Sequence, residues 1–167
     1  MKSNKFYTAL AVCAFIFASC EQSNQPPTST PERSGMPTKP DLAQVKTEVQ
    51  AWENALSNAL NARDINATIA LYADDVACLP EKMPMLVGKT ALKTSIEKFF
   101  AEVPKELKIS YETNEVFSEG NFVTAVGREI VKDASGKEVS TGKYIHLLEK
   151  QDNKYLCRRE IWNTDHE

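Results

Sequence analysis

The stretch ELKISYETNEVFSEGNFVTAVGREIVK, residues 106–132, decides the fold. Ile109 and Tyr111 alternate with Ser110 and Glu112, and after the Glu119-Gly120 turn signal the chain again reads in steps of two. Successive side chains of a strand point to opposite faces, so this stretch predicts two strands joined as a hairpin. Further turn signals at Asp133 to Gly136 and at Asp152-Asn153 divide the rest of the chain, and strands are expected near 107–118, 121–132, 138–150 and 154–163. Links this short join neighbours in an antiparallel meander.

Upstream the period changes. Leu42, Val45, Val49, Trp52, Leu56 and Leu60 recur at three and four, giving one apolar stripe along a helix that Asp41 caps. Asp64 opens a shorter helix with Ile65, Ile69 and Tyr72 on one side, ending near Asp74 and Asp75, and a short strand over 76–79 stops at Pro80. Thr90 caps a third helix that carries Leu92, Ile96, Phe99, Phe100 and Val103 until Pro104 breaks it. The expected class is α+β: three N-terminal helices on the concave face of a curved, mainly antiparallel sheet, in one domain over 41–167.

The first forty residues read differently. Lys2 and Lys5 precede an apolar run from Phe6 to Ala18, the size of a signal-peptide core and well short of the roughly 20 residues that cross a membrane. Ala18 and Ser19 directly before Cys20 resemble the bacterial lipobox, with Phe17 where that motif usually has Leu. The resemblance implies a leader over 1–19 and a lipid on Cys20. Residues 20–40, with Pro26, Pro27, Pro31, Pro37 and Pro40 among small polar residues, are expected to form a tether. The expected location is the cell envelope, lipid-anchored to a membrane outside the cytoplasm.

Removing residues 1–19 takes away Lys2 and Lys5 and no acid, so the formal charge of −3 (20 basic against 23 acidic residues) becomes −5 (18 against 23). A mildly acidic chain without a basic patch argues against nucleic acid as a partner. Cys78 and Cys157 remain after Cys13 and Cys20 are accounted for; a disulfide and two buried free thiols on neighbouring strands fit the sequence equally. No Cys-x-x-Cys is present, and His146 and His166 lack ligand spacing, so neither a metal nor another cofactor is expected.

Trp52 with Asn61-Ala62-Arg63-Asp64, Leu71-Tyr72-Ala73-Asp74-Asp75-Val76, the Gly88 opening of the third helix, Gly142-Lys143-Tyr144-Ile145 and Glu160-Ile161-Trp162-Asn163 are similar in order and spacing to the SnoaL-like group of the nuclear-transport-factor-2-like superfamily. The resemblance spans residues 41–165 and implies a cone-shaped sheet around a helix, a pocket at the open end and a homodimer. It implies no single reaction, since the superfamily holds isomerases, cyclases, dehydratases, epoxide hydrolases and many members that are not enzymes.

Centring each hairpin on its turn pairs Phe117 with Phe122, Thr124 with His146, and His146 with Arg158. That register puts Ile109, Tyr111, Glu115, Thr124, Arg128, Tyr144, His146, Arg158, Glu160 and Trp162 on one face, taken as concave from the contrast between Ile109, Tyr111 and their polar neighbours. Glu115, Thr124, His146 and Arg158 then form a row across four strands. Candidate pocket residues are Trp52, Tyr72, Tyr111, Thr124, Arg128, Tyr144 and Trp162. Three functions are compatible with such a face: binding of a small apolar or amphipathic molecule, acid–base catalysis by His146 with Glu115 or Glu160 and Arg158, or a dimeric interaction module.

Overall fold

Asp41 starts the first helix as its place ahead of the apolar stripe predicts. In the computed structural model, which describes residues 40–165, its carboxylate accepts from the Ala43 and Gln44 amides at 2.9 and 3.4 Å and caps α1, Leu42–Ala62. The expected leader, Cys20, the tether through residue 39, and His166 lie outside the described residues. Arg63 ends α1 in the left-handed conformation at φ 56°, and Asp64 caps α2, Ile65–Ala70, by accepting from the Ala67 amide at 2.9 Å.

The second helix is shorter than the sequence suggests. Tyr72 is not on its face but opens β1, Tyr72–Leu79, and Asp74 and Asp75 lie inside that strand. The pairing of β1 is irregular between Tyr72 and Ala77, and the two aspartates there face solvent, where Lys89 and Arg158 pair with them at 2.9 and 2.7 Å. β2, Leu86–Val87, pairs antiparallel with β1 and leads into α3, Gly88–Glu102. Gly88, at φ 82°, makes the turn from strand to helix, so α3 begins two residues before Thr90, and Thr90 is not its cap.

The meander comprises β3 (Lys108–Glu119), β4 (Phe122–Lys132), β5 (Glu138–Gln151) and β6 (Lys154–Thr164). With β1 and β2 these form a curved six-stranded sheet in the order β2-β1-β6-β5-β4-β3, antiparallel except where β1 runs beside β6. The helices lie on its concave face. Val49, Trp52 and Leu56 of α1 pack with Val76, Val123, Ala125, Leu148 and Cys157 of the sheet into one core.

Register is where the structure departs from expectation. The β4–β5 ladder starts from Lys132 opposite Glu138, but a bulge at Val139 puts Val131 opposite Ser140, and every pair beyond is displaced by one residue. His146 therefore faces Ala125 rather than Thr124. Bulges at Asn114 in β3 and at Arg158 in β6 change the parity of their strands in the same way; because the β5–β6 turn closes at Gln151 and Lys154, one residue off the expected centre, the Arg158 bulge then sets His146 opposite Glu160 rather than Arg158. The β3–β4 turn closes at Glu119 and Phe122, so Phe117 pairs with Thr124 instead of Phe122.

Candidate acid–tyrosine pocket

These registers decide which side chains reach the concave face. A one-residue displacement turns a strand over. β4 therefore presents Val123, Ala125, Gly127 and Glu129 inward and turns Thr124 and Arg128 outward, where Arg128 pairs with Glu112 and Glu138 at 3.3 and 3.5 Å. Beyond the Asn114 bulge, Glu115 and Phe117 are exposed and Val116 is buried instead. Arg158, extruded at its own bulge, binds Glu149 and Asp75 on the outer face at 2.6 and 2.7 Å. The expected row of Glu115, Thr124, His146 and Arg158 is not assembled; only His146 of the four points inward.

What does converge is a cavity of about 260 Å³ between α3 and the concave face. Leu60, Leu92, Ile96, Phe99, Ile109 and Trp162 make apolar walls, and the exposed Met83, Lys98 and Glu102 mark the mouth. Its floor is polar and aromatic: Tyr72, Tyr111, Tyr144, His146, Glu129 and Glu160. Four expected pocket residues, Tyr72, Tyr111, Tyr144 and Trp162, line this cavity, as do His146 and Glu160. Trp52 stands behind it in the core, its ring edge-on to His146 at 5.5 Å and to Tyr72 at 6.4 Å between centroids.

His146 is held from every side. Tyr144 stacks on it at 4.2 Å and 21°, and the rings of Trp52 and Tyr111 meet it edge-on. Its Nδ1 lies 3.5 Å from Glu53 Oε1 and its Nε2 3.9 Å from Glu160 Oε2. Those are ion-pair distances too long for hydrogen bonds, and Nδ1 has no hydrogen-bond partner although His146 is 2% exposed.

Glu53, at 0% exposure the most deeply buried acid of the site, comes from α1. Tyr144 donates its hydroxyl to Glu53 Oε1 and Thr113 donates to Oε2, each at 2.5 Å. Charge-assisted bonds of this kind offset the cost of taking a carboxylate out of water. Glu53 was not among the expected site residues, yet its position carried a signal. It follows Val49 by four and precedes Leu56 by three, an acid inside the apolar stripe. Glu129 was also missed, because the expected register turned β4 over.

Glu160 accepts from the Tyr72 hydroxyl at 3.0 Å with the Cys78 thiol beside it, and Tyr111 stands next to Glu129. Burial raises the Glu129 carboxyl above its ordinary range, and nearby Glu160 adds to the shift against the pull of the neighbouring Tyr111 hydroxyl. Burial, with Glu160, Glu129 and Glu53 respectively beside them, raises the hydroxyls of Tyr72, Tyr111 and Tyr144, so all three keep their protons. Cys78 and Cys157 are free buried thiols; the parallel register sets Cys78 opposite Glu160 rather than Cys157. Among the described residues no three His, Cys, Asp or Glu side chains converge as metal ligands. The floor is thus equipped to accept hydrogen bonds and to hold or pass a proton between carboxylates and an imidazole.

A family model described as the SnoaL-like domain matches residues 53–156. No curated protein matches the chain. Solved structures share the fold. A protein of unknown function with a cystatin-like fold from Nostoc punctiforme superposes with TM-score 0.66 at 14% identity, over 74% of this chain and 92% of that one. An NTF2-like protein from Novosphingobium aromaticivorans gives TM-score 0.64 at 14% identity over 75% and 85%. A ketosteroid isomerase-like protein from Erwinia carotovora atroseptica gives 0.58 at 22% identity over 72% and 96%. At these identities the likeness is one of fold.

Proposed function

The chain belongs to the SnoaL-like domain family, and we propose that it binds a small, largely apolar molecule in the cavity between α3 and the sheet, from a lipid anchor at Cys20. The observation that carries this reading is the division of one cavity into apolar walls and a polar floor. Small-molecule sites are concave and mostly apolar, with a few placed polar groups that fix orientation. A volume of about 260 Å³ falls just below the roughly 300–1,000 Å³ common for drug-sized ligands, which favours one or two rings over a sterol.

Thermal-shift screening of small aromatics bearing different polar groups tests the proposal. At least one class raises the melting temperature of the parent chain, and Ile96→Trp, which fills the wall, removes the shift while the protein stays folded. No shift with any class, or a shift that Ile96→Trp leaves intact, contradicts it. The anchor rests on the lipobox-like residues before Cys20 and the Pro-rich segment after it. Cys20→Ser releases the protein from the membrane fraction on this reading; unchanged membrane association removes the anchor from the account.

A second reading, acid–base chemistry on the bound molecule, is favoured by Glu129: a buried carboxyl whose proton affinity is raised, on the floor that holds His146 and Glu160. One structural neighbour is described as ketosteroid isomerase-like. Turnover of a ligand found in the screen, with kcat in Glu129→Gln falling further than affinity does, distinguishes this reading from binding alone.

A further inference from the structure

The floor of the cavity has an unbalanced charge. Glu53, Glu129 and Glu160 face it or stand directly behind it, against the single imidazole of His146, and no Lys or Arg lines the floor. The nearest lining cation, Lys98, is on the exposed rim of α3 beside Glu102, at 3.8 Å. A protonated His146, at 3.5 Å from Glu53 and 3.9 Å from Glu160, answers one carboxylate and leaves the others.

The hydrogen-bond inventory leans the same way. Hydroxyl groups of buried tyrosines are the usual donors to an anionic or carbonyl ligand. Here two of the three are committed: Tyr144 donates to Glu53 at 2.5 Å and Tyr72 to Glu160 at 3.0 Å, while Tyr111 stands beside Glu129. A tyrosine has one proton to give. The floor therefore offers carboxylate and phenol lone pairs, and has few free donors. Neither nitrogen of His146, a side chain 2% exposed, makes a hydrogen bond: Nδ1 faces Glu53 at 3.5 Å and Nε2 faces Glu160 at 3.9 Å.

Aromatic rings complete the setting. Tyr111 meets Tyr144 edge-on at 5.5 Å, and Tyr72 and Trp162 line the same space. Ring faces attract a cation through their quadrupole, and carboxylates beside such rings are how proteins hold ammonium groups. An anionic ligand would instead bring like charge into a water-poor site.

We propose that the cavity recognises a small amine, its ammonium group held on the floor by the Glu160 and Glu129 carboxylates among the tyrosine rings, and its apolar part along Leu92, Ile96 and Phe99. The amine supplies the positive charge and up to three donors, matching a floor made of acceptors. This rests on the cavity being a ligand site, and it fixes the charge of the ligand.

The test is calorimetric titration of the purified full chain at neutral pH with three probes that share one tail: phenylpropylamine, phenylpropanol and phenylpropanoate. The amine binds about tenfold or more tighter than the alcohol, and the carboxylate does not bind. Glu160→Gln brings the amine to within about threefold of the alcohol, and Glu129→Gln weakens the amine in the same direction. Alcohol or carboxylate binding as tight as the amine overturns the amine assignment and leaves the cavity reading standing. Absence of binding by all three overturns both. The comparison of probes on the parent chain decides the matter even where a variant fails to fold.

Discussion

Glu53 is the residue on which the inside of this domain turns. It accepts hydrogen bonds from the Tyr144 and Thr113 hydroxyls and faces His146, all from within a helix whose other inward residues are mostly apolar. Glu53→Ala leaves two buried hydroxyls without an acceptor and opens a void, so urea denaturation should report a loss of about 3 kcal/mol or more, with Glu53→Gln milder. A change below about 1 kcal/mol for Glu53→Ala would mean the network is not held as described. Gly127 supports the same network. A Cβ there would lie 2.5 Å from Tyr144 Cζ and closer still to its hydroxyl, so Gly127→Ala pushes Tyr144 off Glu53 and costs about 1–3 kcal/mol.

Glu129 makes a prediction in pH. Burial raises its folded pKa above the ordinary carboxyl value of 4.5, with Tyr111, Glu160 and His146 as its neighbours. Below that value both folded and unfolded chains hold the proton. As pH rises, the unfolded chain releases it first, so stability falls from about pH 4.5 until the folded carboxyl also ionises. Measured as a difference from Glu129→Gln, the parent chain loses stability over that window; a difference that is flat or rises with pH contradicts the buried acid.

At the scale of elements, strand positions were readable and strand pairings were not. All four expected meander strands are present within a residue or two, because alternation and turn residues are local signals. Bulges at Asn114, Val139 and Arg158 are not local: each adds one residue to a ladder where the sheet curves, and the pattern around Val139 gives no hint of it. Hence Tyr144 and His146, which keep their face, were found, whereas Glu129 was lost and Thr124 and Arg128 were placed on the wrong side. Arg63 joins elements that the sequence leaves unconnected. Its guanidinium donates to the carbonyls of Phe100 and Val103, capping the end of α3 from the end of α1. Arg63→Ala should lower stability by about 1–2 kcal/mol and loosen the α3 wall of the cavity; Arg63→Lys, which lacks the planar fork, restores little of it. Full recovery in the lysine variant would count against this bridging role.

Seen as a whole, the domain has two unlike sheet faces. On the outer one, Val126, Ile145, Ile161 and Leu79 lie opposite one another across four strands, with Ile145 and Ile161 45% and 47% exposed. An apolar row of this kind, flanked by Arg128 and Lys143 on one side and Arg159 on the other, suits a symmetric contact between two copies of the chain. Sedimentation at micromolar concentration should give a dimer that Ile145→Lys converts to a monomer. A parent chain that sediments as a monomer contradicts this contact and the homodimer that the family resemblance implies. The concave face is the opposite in character, enclosed and acid-lined, and the proposed function depends on it. The most direct test is protein-observed NMR during titration of the full chain with the three phenylpropyl probes. Saturable shifts are expected at Ile96, Tyr111, His146 and Trp162, with Val126, Ile145 and Ile161 unmoved; saturable shifts on the outer row alone, or none at the cavity with any probe, would contradict a ligand site in the cone.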